Sequence, residues 1–271
     1  MSSELISTAE PIDMNLRRAQ TLIDNITHVL QAIKRAAPHR QIRLVAISKL
    51  KPASDILALH NSRDITKHDS HFGENYFQEL VEKAATLPQD INWHFTGTLQ
   101  SNKCKALASI PNLWAVESLD TIKKADALEK GRAALRKTNN SVDVLRIFLQ
   151  VNTSNEESKS GCQPSEVPDI ASHIIKSCPS LQFKGLMTIG AIARSKQPDV
   201  PNEDFILLRE TRDNLTKHLG WEEDQLELSM GMSDDYLPAI EQGATNVRVG
   251  TTIFGERPKK QDAKVKEDAA T

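Results

Sequence analysis

"RLVAISKLKP", residues 43–52, reads as a buried strand that ends on amines. Leu44, Val45, Ala46 and Ile47 form the short apolar run expected of a strand covered on both faces. Lys49 and Lys51 then arrive, with Pro52 directly behind them. Two readings stand: a strand that has reached the surface, or an amine held at the mouth of a barrel to react with a carbonyl. The sequence on either side bears on the choice. Upstream, Leu22, Ile23, Ile26, Val29, Leu30 and Ile33 recur at helical spacing within residues 15–36 and make one apolar face. Downstream, short apolar runs alternate with helical patterns. The runs are "SHFGEN" (70–75), "NWHFTG" (92–97), "LWAVES" (113–118), "VLRIFLQVN" (144–152), "FKGLMTIG" (183–190), "QLELSMG" (225–231) and "NVRVGTTIFG" (246–255). With the first they make eight candidate strands.

Between the runs lie helical stretches such as "YFQELVEKAATL", "DTIKKADALEKGRAALRK", "DIASHIIKS", "DFILLRETRDNLTKHL" and "DDYLPAIEQG", the last with Ser233 as its expected N-cap. Eight strands with intervening helices predict an α/β fold: a closed parallel (β/α)8 barrel of the TIM type, as a single domain. An open doubly wound sheet is the alternative. No helix is predicted after the eighth strand, and the N-terminal helix is expected to fill the gap this leaves. The boundaries are a flexible N-terminus at 1–14, the barrel at 15–258 and a disordered, charged C-terminal tail, "KKQDAKVKEDAAT", at 259–271. "RKTNNS" (136–141) and "RSKQPDVPNED" (194–204) read as surface loops.

The bulk numbers narrow the function. With 39% hydrophobic and 26% charged residues, the chain has the composition of a soluble protein with a real core. A formal charge of −2 and 4% aromatic residues argue against nucleic acid or an anionic membrane as partner. Cys104, Cys162 and Cys178 include no C-x-x-C pair, which fits a reducing compartment without a disulfide framework. Cys104 and Cys178 read as core filler, and Cys162, in a polar loop, is expected at the surface. No signal peptide or membrane span is visible, so a cytoplasmic protein is expected, with access to the nucleus left open. His68 and His71 stand apart from other metal-ligand types, and no metal site is predicted.

In a barrel of this kind, chemistry gathers at the carboxyl ends of the strands. Those ends carry Lys49, Gly73-Glu74-Asn75, His94 and Gly97, Glu117-Ser118, Asn152, Met187-Thr188, Ser229-Met230-Gly231 and Arg248-Val249-Gly250-Thr251. The loops after strands seven and eight are the usual phosphate cradle of the fold, and here they supply Ser229, Gly231, Gly250, Thr251 and Thr252. Glycine lets backbone N–H groups approach an anion, and hydroxyls add donors. An amine facing a phosphate cradle suits an aldehyde that carries a phosphate: pyridoxal 5′-phosphate (PLP), or a sugar phosphate in an aldolase. Arg248 favours the first, because its donor-only guanidinium matches a pyridine nitrogen. His94, between Trp93 and Phe95, reads as a satisfied core histidine ahead of a catalytic base. Asn75 reads equally as the N-cap of the helix that follows, with Gln78 in the capping-box position, and as a site residue.

Taken together, "LVAISKLKP", "FGENYFQEL", "WHFTGTLQSNK", "VNTSNEESKSGC", "LMTIG" and "LSMGMSDDYLPAIEQGATNVRVGTTIFGERP" resemble the pyridoxal phosphate homeostasis protein family, whose fold is similar to the N-terminal barrel of alanine racemase. The resemblance runs from about residue 15 to 258, in the family's order. It implies PLP as cofactor and Lys49 as the Schiff-base lysine. Ser229, Gly250 and Thr251 would hold the phosphate, Arg248 the pyridine nitrogen, and Asn75 and Met230 would line the ring. Thr96 stands where the family often has a larger apolar residue. Lys159, in the loop after strand five, is either a solvated lysine or a second amine that assists cofactor transfer.

The function expected from this is binding of PLP for its homeostasis, by buffering it or delivering it to PLP-dependent apoenzymes. The protein is expected to be a monomer and more carrier than enzyme. An amino-acid racemase of the alanine racemase type is the alternative. The chain runs out soon after strand eight and has two tyrosines, Tyr76 and Tyr236, each at a predicted helix start, so the racemase's second base is not evident.

Overall fold

The structure, a computed structural model, describes residues 15–156, 159–191, 194 and 200–256. The expected flexible N-terminus, the charged tail and residues 195–199 of the 194–204 loop lie outside these residues. Eight parallel strands close into a barrel in chain order: β1 (Arg43–Ile47), β2 (His71–Glu74), β3 (Asn92–Phe95), β4 (Leu113–Leu119), β5 (Leu145–Gln150), β6 (Leu181–Met187), β7 (Glu227–Ser229) and β8 (Asn246–Val249). Strand β8 pairs back onto β1, with Val45 opposite Arg248 and Ala46 opposite Val249. The alternative of an open sheet is thereby removed.

Residues 246–255 read as one continuous strand, yet β8 stops at Val249. Gly250 ends it, and Thr251–Phe254 form a one-turn helix, α10, where the sequence predicted none. The first helix, α1 (Leu16–Ala36), is capped by Asn15, whose side chain accepts from the Arg18 N–H at 3.1 Å. Its apolar face buries Leu22, Ile26, Val29 and Ile33. It packs against α2 (Ala53–Asn61) and α10, the position expected for it. Arg18 pairs with Asp55 and donates to the Phe254 carbonyl at 2.7 Å, and Asn25 donates to the Ile253 carbonyl at 2.9 Å. Among the described residues no helix is long and apolar enough to cross a membrane.

The main core lies between the strands and the helices, and Leu44, Ala46, Leu228 and Met230 belong to it. Cys104 and Cys178 are buried, as expected. Cys162 is buried as well, contrary to its polar surroundings in sequence. Its N–H donates to the Gln150 carbonyl at 2.9 Å, and residue 162 bridges to Val151, so the loop folds back onto β5. Burial pushes all three thiols up, to about 11 at Cys104 and Cys178 and about 12 at Cys162.

Candidate functional site

Alternation along β1 aims Lys49. Leu44 and Ala46 face the outer core, whereas Val45 and Ile47 lie against the space above Gly73. Lys49 follows with the same parity as Val45 and Ile47, half-buried at the barrel mouth. The registers of β1, carried two residues past its end, place it level with Asn75 on one side, because Ile47 faces Gly73, and with Thr252, just past Gly250 and Thr251, on the other, because Ala46 faces Val249.

The backbone on either side of Lys49 is gripped from outside the barrel. Lys83, on α4 (Phe77–Thr86), donates to the Ser48 carbonyl at 2.9 Å, to Glu74 at 2.7 Å and to Glu79 at 2.6 Å. Glu79 accepts the Leu50 N–H at 2.8 Å. Leu50 sits in the left-handed region at φ 60°, a conformation that costs an L-residue about 1–2 kcal/mol. The Lys83–Glu79 pair holds the chain in that turn. Burial pushes the Glu74 carboxyl up to about 7, against the opposing charge of Lys83. The folded protein therefore keeps a proton there between pH 4.5 and about 7 that the unfolded chain has lost. Stability from this group falls as pH rises through that window. Glu74→Gln is expected to flatten the dependence. Urea midpoints at pH 5 and pH 8 read it, and a variant as pH-dependent as the parent would count against the assignment.

Arg248 lies inside the barrel and is 5% exposed. It donates to the Ser229 hydroxyl at 2.6 Å and to the Thr188 carbonyl at 2.8 Å. The Ser229 hydroxyl also accepts from Asn246 at 2.9 Å and donates to Glu117 at 2.5 Å. This hydroxyl is fully engaged within the barrel, away from the loop where a phosphate was expected to meet it. Met230 follows with the opposite parity and is buried in the outer core. Ser233, expected as a helix N-cap, accepts the Gly250 N–H at 3.1 Å, while Asp235 caps α9 (Tyr236–Glu241) by position. Ser233 thus stands with Gly250 and the exposed Thr251 and Thr252 at the start of α10. The spacing of Ser229 and Ser233, one in a strand and one four residues on in the loop, was the available signal for telling the two serines apart.

Asn75 does not cap its helix. Tyr76 occupies the cap position, Gln78 donates to Glu82, and Asn75 Oδ1 accepts from the Thr96 hydroxyl at 3.1 Å. A cavity of about 160 Å³ opens beside it, lined by Asn75, Thr96, Gln150, Asn152, Lys159 and Thr188 among others. Lys159 is held there by Glu156 at 2.8 Å and the Gly190 carbonyl at 3.0 Å. His94 is fully buried and touches Glu117 at 2.5 Å and His71 at 2.8 Å. Away from the mouth, Asp126, His173 and Cys178 bring metal-ligand atoms within 4.8 Å of one another. His173 already bonds Asp126 at 2.7 Å, and the raised Cys178 pKa favours the thiol over the thiolate a metal needs.

The mouth therefore gathers a strand-end lysine, a buried arginine and a hydroxyl-rich loop pair. Residues 22–258 match the family model described as alanine racemase, N-terminal domain. A pyridoxal phosphate homeostasis protein of Schizosaccharomyces pombe is 42% identical over 233 residues, covering 86% of this chain and 92% of that one. The chain belongs to the pyridoxal phosphate homeostasis protein family. The Homo sapiens relative of the same description is 44% identical over 237 residues, covering 84% of this chain and 82% of that one. Among solved structures, PipY of Synechococcus elongatus with PLP bound aligns with a TM-score of 0.65 at 28% identity, over 86% of this chain and 100% of that one. Alanine racemase from Corynebacterium glutamicum shares the fold, with a TM-score of 0.63 at 15% identity, over 90% of this chain and 65% of that one.

Proposed function

We propose that this protein binds PLP at the barrel mouth and serves its homeostasis, holding the cofactor and releasing it to PLP-dependent apoenzymes. The observation that carries the reading is the convergence of Lys49, Arg248 and the Ser233–Gly250–Thr251 loop on one mouth. The donor set fits the group. Thr251 and Thr252 at the α10 start offer backbone N–H groups and hydroxyls to a phosphate, Lys49 offers an amine, and Arg248 offers donors and no acceptor. When bound, PLP supplies an aldehyde that an amine holds reversibly. Lys49 is the residue to hold it, and Lys83 and Glu79 keep the turn behind Lys49 in place. Arg248 orients the ring end without giving it a proton. Asn75 lines the same opening, and Lys159 stands across the cavity as a candidate second amine during release. The protein acts as a monomer in the cytoplasm in this reading.

The named homeostasis relatives favour this over a racemase, because the alanine racemases compare at the level of fold alone. Tyr236, one of two tyrosines, also packs in the outer core. The test is a pair of titrations with PLP and with pyridoxal. PLP is expected to bind at least tenfold more tightly, because each bond to a charged phosphate contributes roughly 1.5–3 kcal/mol. Thr251→Val and Ser233→Ala are each expected to weaken PLP binding about tenfold. Equal affinity for the two ligands overturns the phosphate site. Incubation with L-amino acids in deuterated water separates carrier from enzyme: enzyme-like loss of the α-proton, abolished by Lys49→Ala, rejects the carrier.

A further inference from the structure

Strands β4 and β7 are separated in the sheet by β5 and β6, so side chains from the two meet only across the barrel interior. Glu117 on β4 and Ser229 on β7 do so, at 2.5 Å between residues 112 apart in sequence. We propose that Glu117 is a positioning residue for the cofactor: it is the internal counter-ion of Arg248 and fixes, through Ser229 and Asn246, the charge and direction that the guanidinium presents to the ring. The second half of this statement rests on the PLP reading of the mouth. The first half does not.

The hydrogen-bond directions leave little freedom. Arg248 and Asn246 can only donate through the nitrogens they use here, so the Ser229 oxygen accepts from both, and its one proton goes to Glu117. Asn246 also reaches both Glu117 oxygens at 3.3 Å. His94 Nδ1 lies 2.5 Å from the other side of the carboxylate, and His94 Nε2 lies 2.8 Å from His71 Nδ1. With Glu117 ionised, neutral imidazoles satisfy both contacts in one way only: His71 donates to His94, and His94 donates to Glu117. Donors converge on this one carboxylate.

The surrounding charges agree. Burial lowers the His94 and His71 pKa values, keeping both rings neutral. Burial pushes Glu117 up, but the His94 bond, the Arg248 charge and the Ser229 bond together hold it below its ordinary value. Glu117 is therefore anionic, and the cation it balances is Arg248. Asp235 adds a weaker attraction on Arg248. At the opposite end of the barrel Arg43 pairs with Glu227, and the Arg43 and Arg146 guanidinium groups lie over the Trp114 ring, 4.3 and 4.6 Å from its centroid. A fully buried anion and a nearly buried cation each depend on the other, because removing one strands the opposite charge away from water.

The pairing is tested in cofactor-free protein by unfolding four forms: the parent, Glu117→Gln, Arg248→Gln and the double variant. Each single change is expected to lower the midpoint, and the double variant to be more stable than the sum of the two losses predicts. Additive losses overturn the pairing. The charge presented to the ring is tested in loaded protein by titrating the visible band of the lysine-bound cofactor. Glu117→Gln leaves the positive charge of Arg248 uncompensated and is expected to lower the apparent pKa of that band by about one unit. Glu117→Asp keeps the charge and is expected to retain the parent pKa, a contrast that a purely steric role does not produce. An unchanged pKa in Glu117→Gln, or the same shift in both variants, overturns the effect on the ring. If Glu117→Gln does not fold, the double variant and Glu117→Asp still decide. Coupled unfolding in a protein that binds no PLP rejects the PLP site and leaves the ion pair standing.

Discussion

Lys49→Ala abolishes the covalent label. After incubation with PLP and reduction with borohydride, the peptide carrying residue 49 is expected to hold the reduced adduct in the parent protein, and the label falls to background in the variant. The visible band disappears with it, while weak binding through the phosphate loop remains. The competing amines are differently placed. The Lys51 amine donates to the Glu256 carbonyl at 2.6 Å, and the Lys159 amine lies between Glu156 and Gly190. Lys49 alone of the three combines the inward parity of Val45 and Ile47 with a position between Asn75 and the start of α10. Peptide mapping checks this directly: label on Lys51 or Lys159, with Lys49 clean, would assign the chemistry elsewhere.

Gly97→Ala is the substitution expected to damage the fold most for its size. A Cβ at residue 97 would stand 1.8 Å from the Asn75 carbonyl oxygen, inside contact distance of backbone that cannot swing away. The end of β2 and the loop after β3 must separate to admit it. Overpacking of this kind costs about 1–3 kcal/mol and sometimes more, and a backbone clash belongs at the upper end. The displaced backbone carries Asn75, so PLP affinity falls with stability. A urea midpoint equal to the parent's would show that the two segments part without loss.

The architecture was legible because most strands announce themselves locally, "SHFGEN" (70–75) least of them. "LVAIS", "RIFLQ" and "FKGLM" are apolar runs bounded by polar or glycine turns, and eight of them with helices between leave few alternatives. Strand ends were less legible where one glycine stops a run that would otherwise continue, as at Gly250. Lys49 and Arg248 could be placed because parity along a strand is local. The Glu117 chain could not be read, because its members come from β2, β3, β4, β7 and β8 and meet only after closure. Ser229 for that reason reads as part of the phosphate loop, although its strand parity turns its hydroxyl inward. Asn75 resembled a cap because caps are recognised by sequence position, while the Thr96 hydroxyl that engages it comes from the next strand. Cys162 was misplaced on composition: polar neighbours describe the loop's outer side, and the bridge to Val151 turns the thiol in.

The burial of Cys104, Cys162 and Cys178 has a practical consequence for chemistry on this protein. With thiol pKa values of about 11 and 12, about one molecule in ten thousand or fewer carries a thiolate at any of these positions at neutral pH. Peroxide and maleimide act on the thiolate and need access to it, and neither condition is met in the folded chain. A cysteine introduced on the outer surface would therefore be the reactive one, and a dye attached there would report from a single known place without removal of the native three.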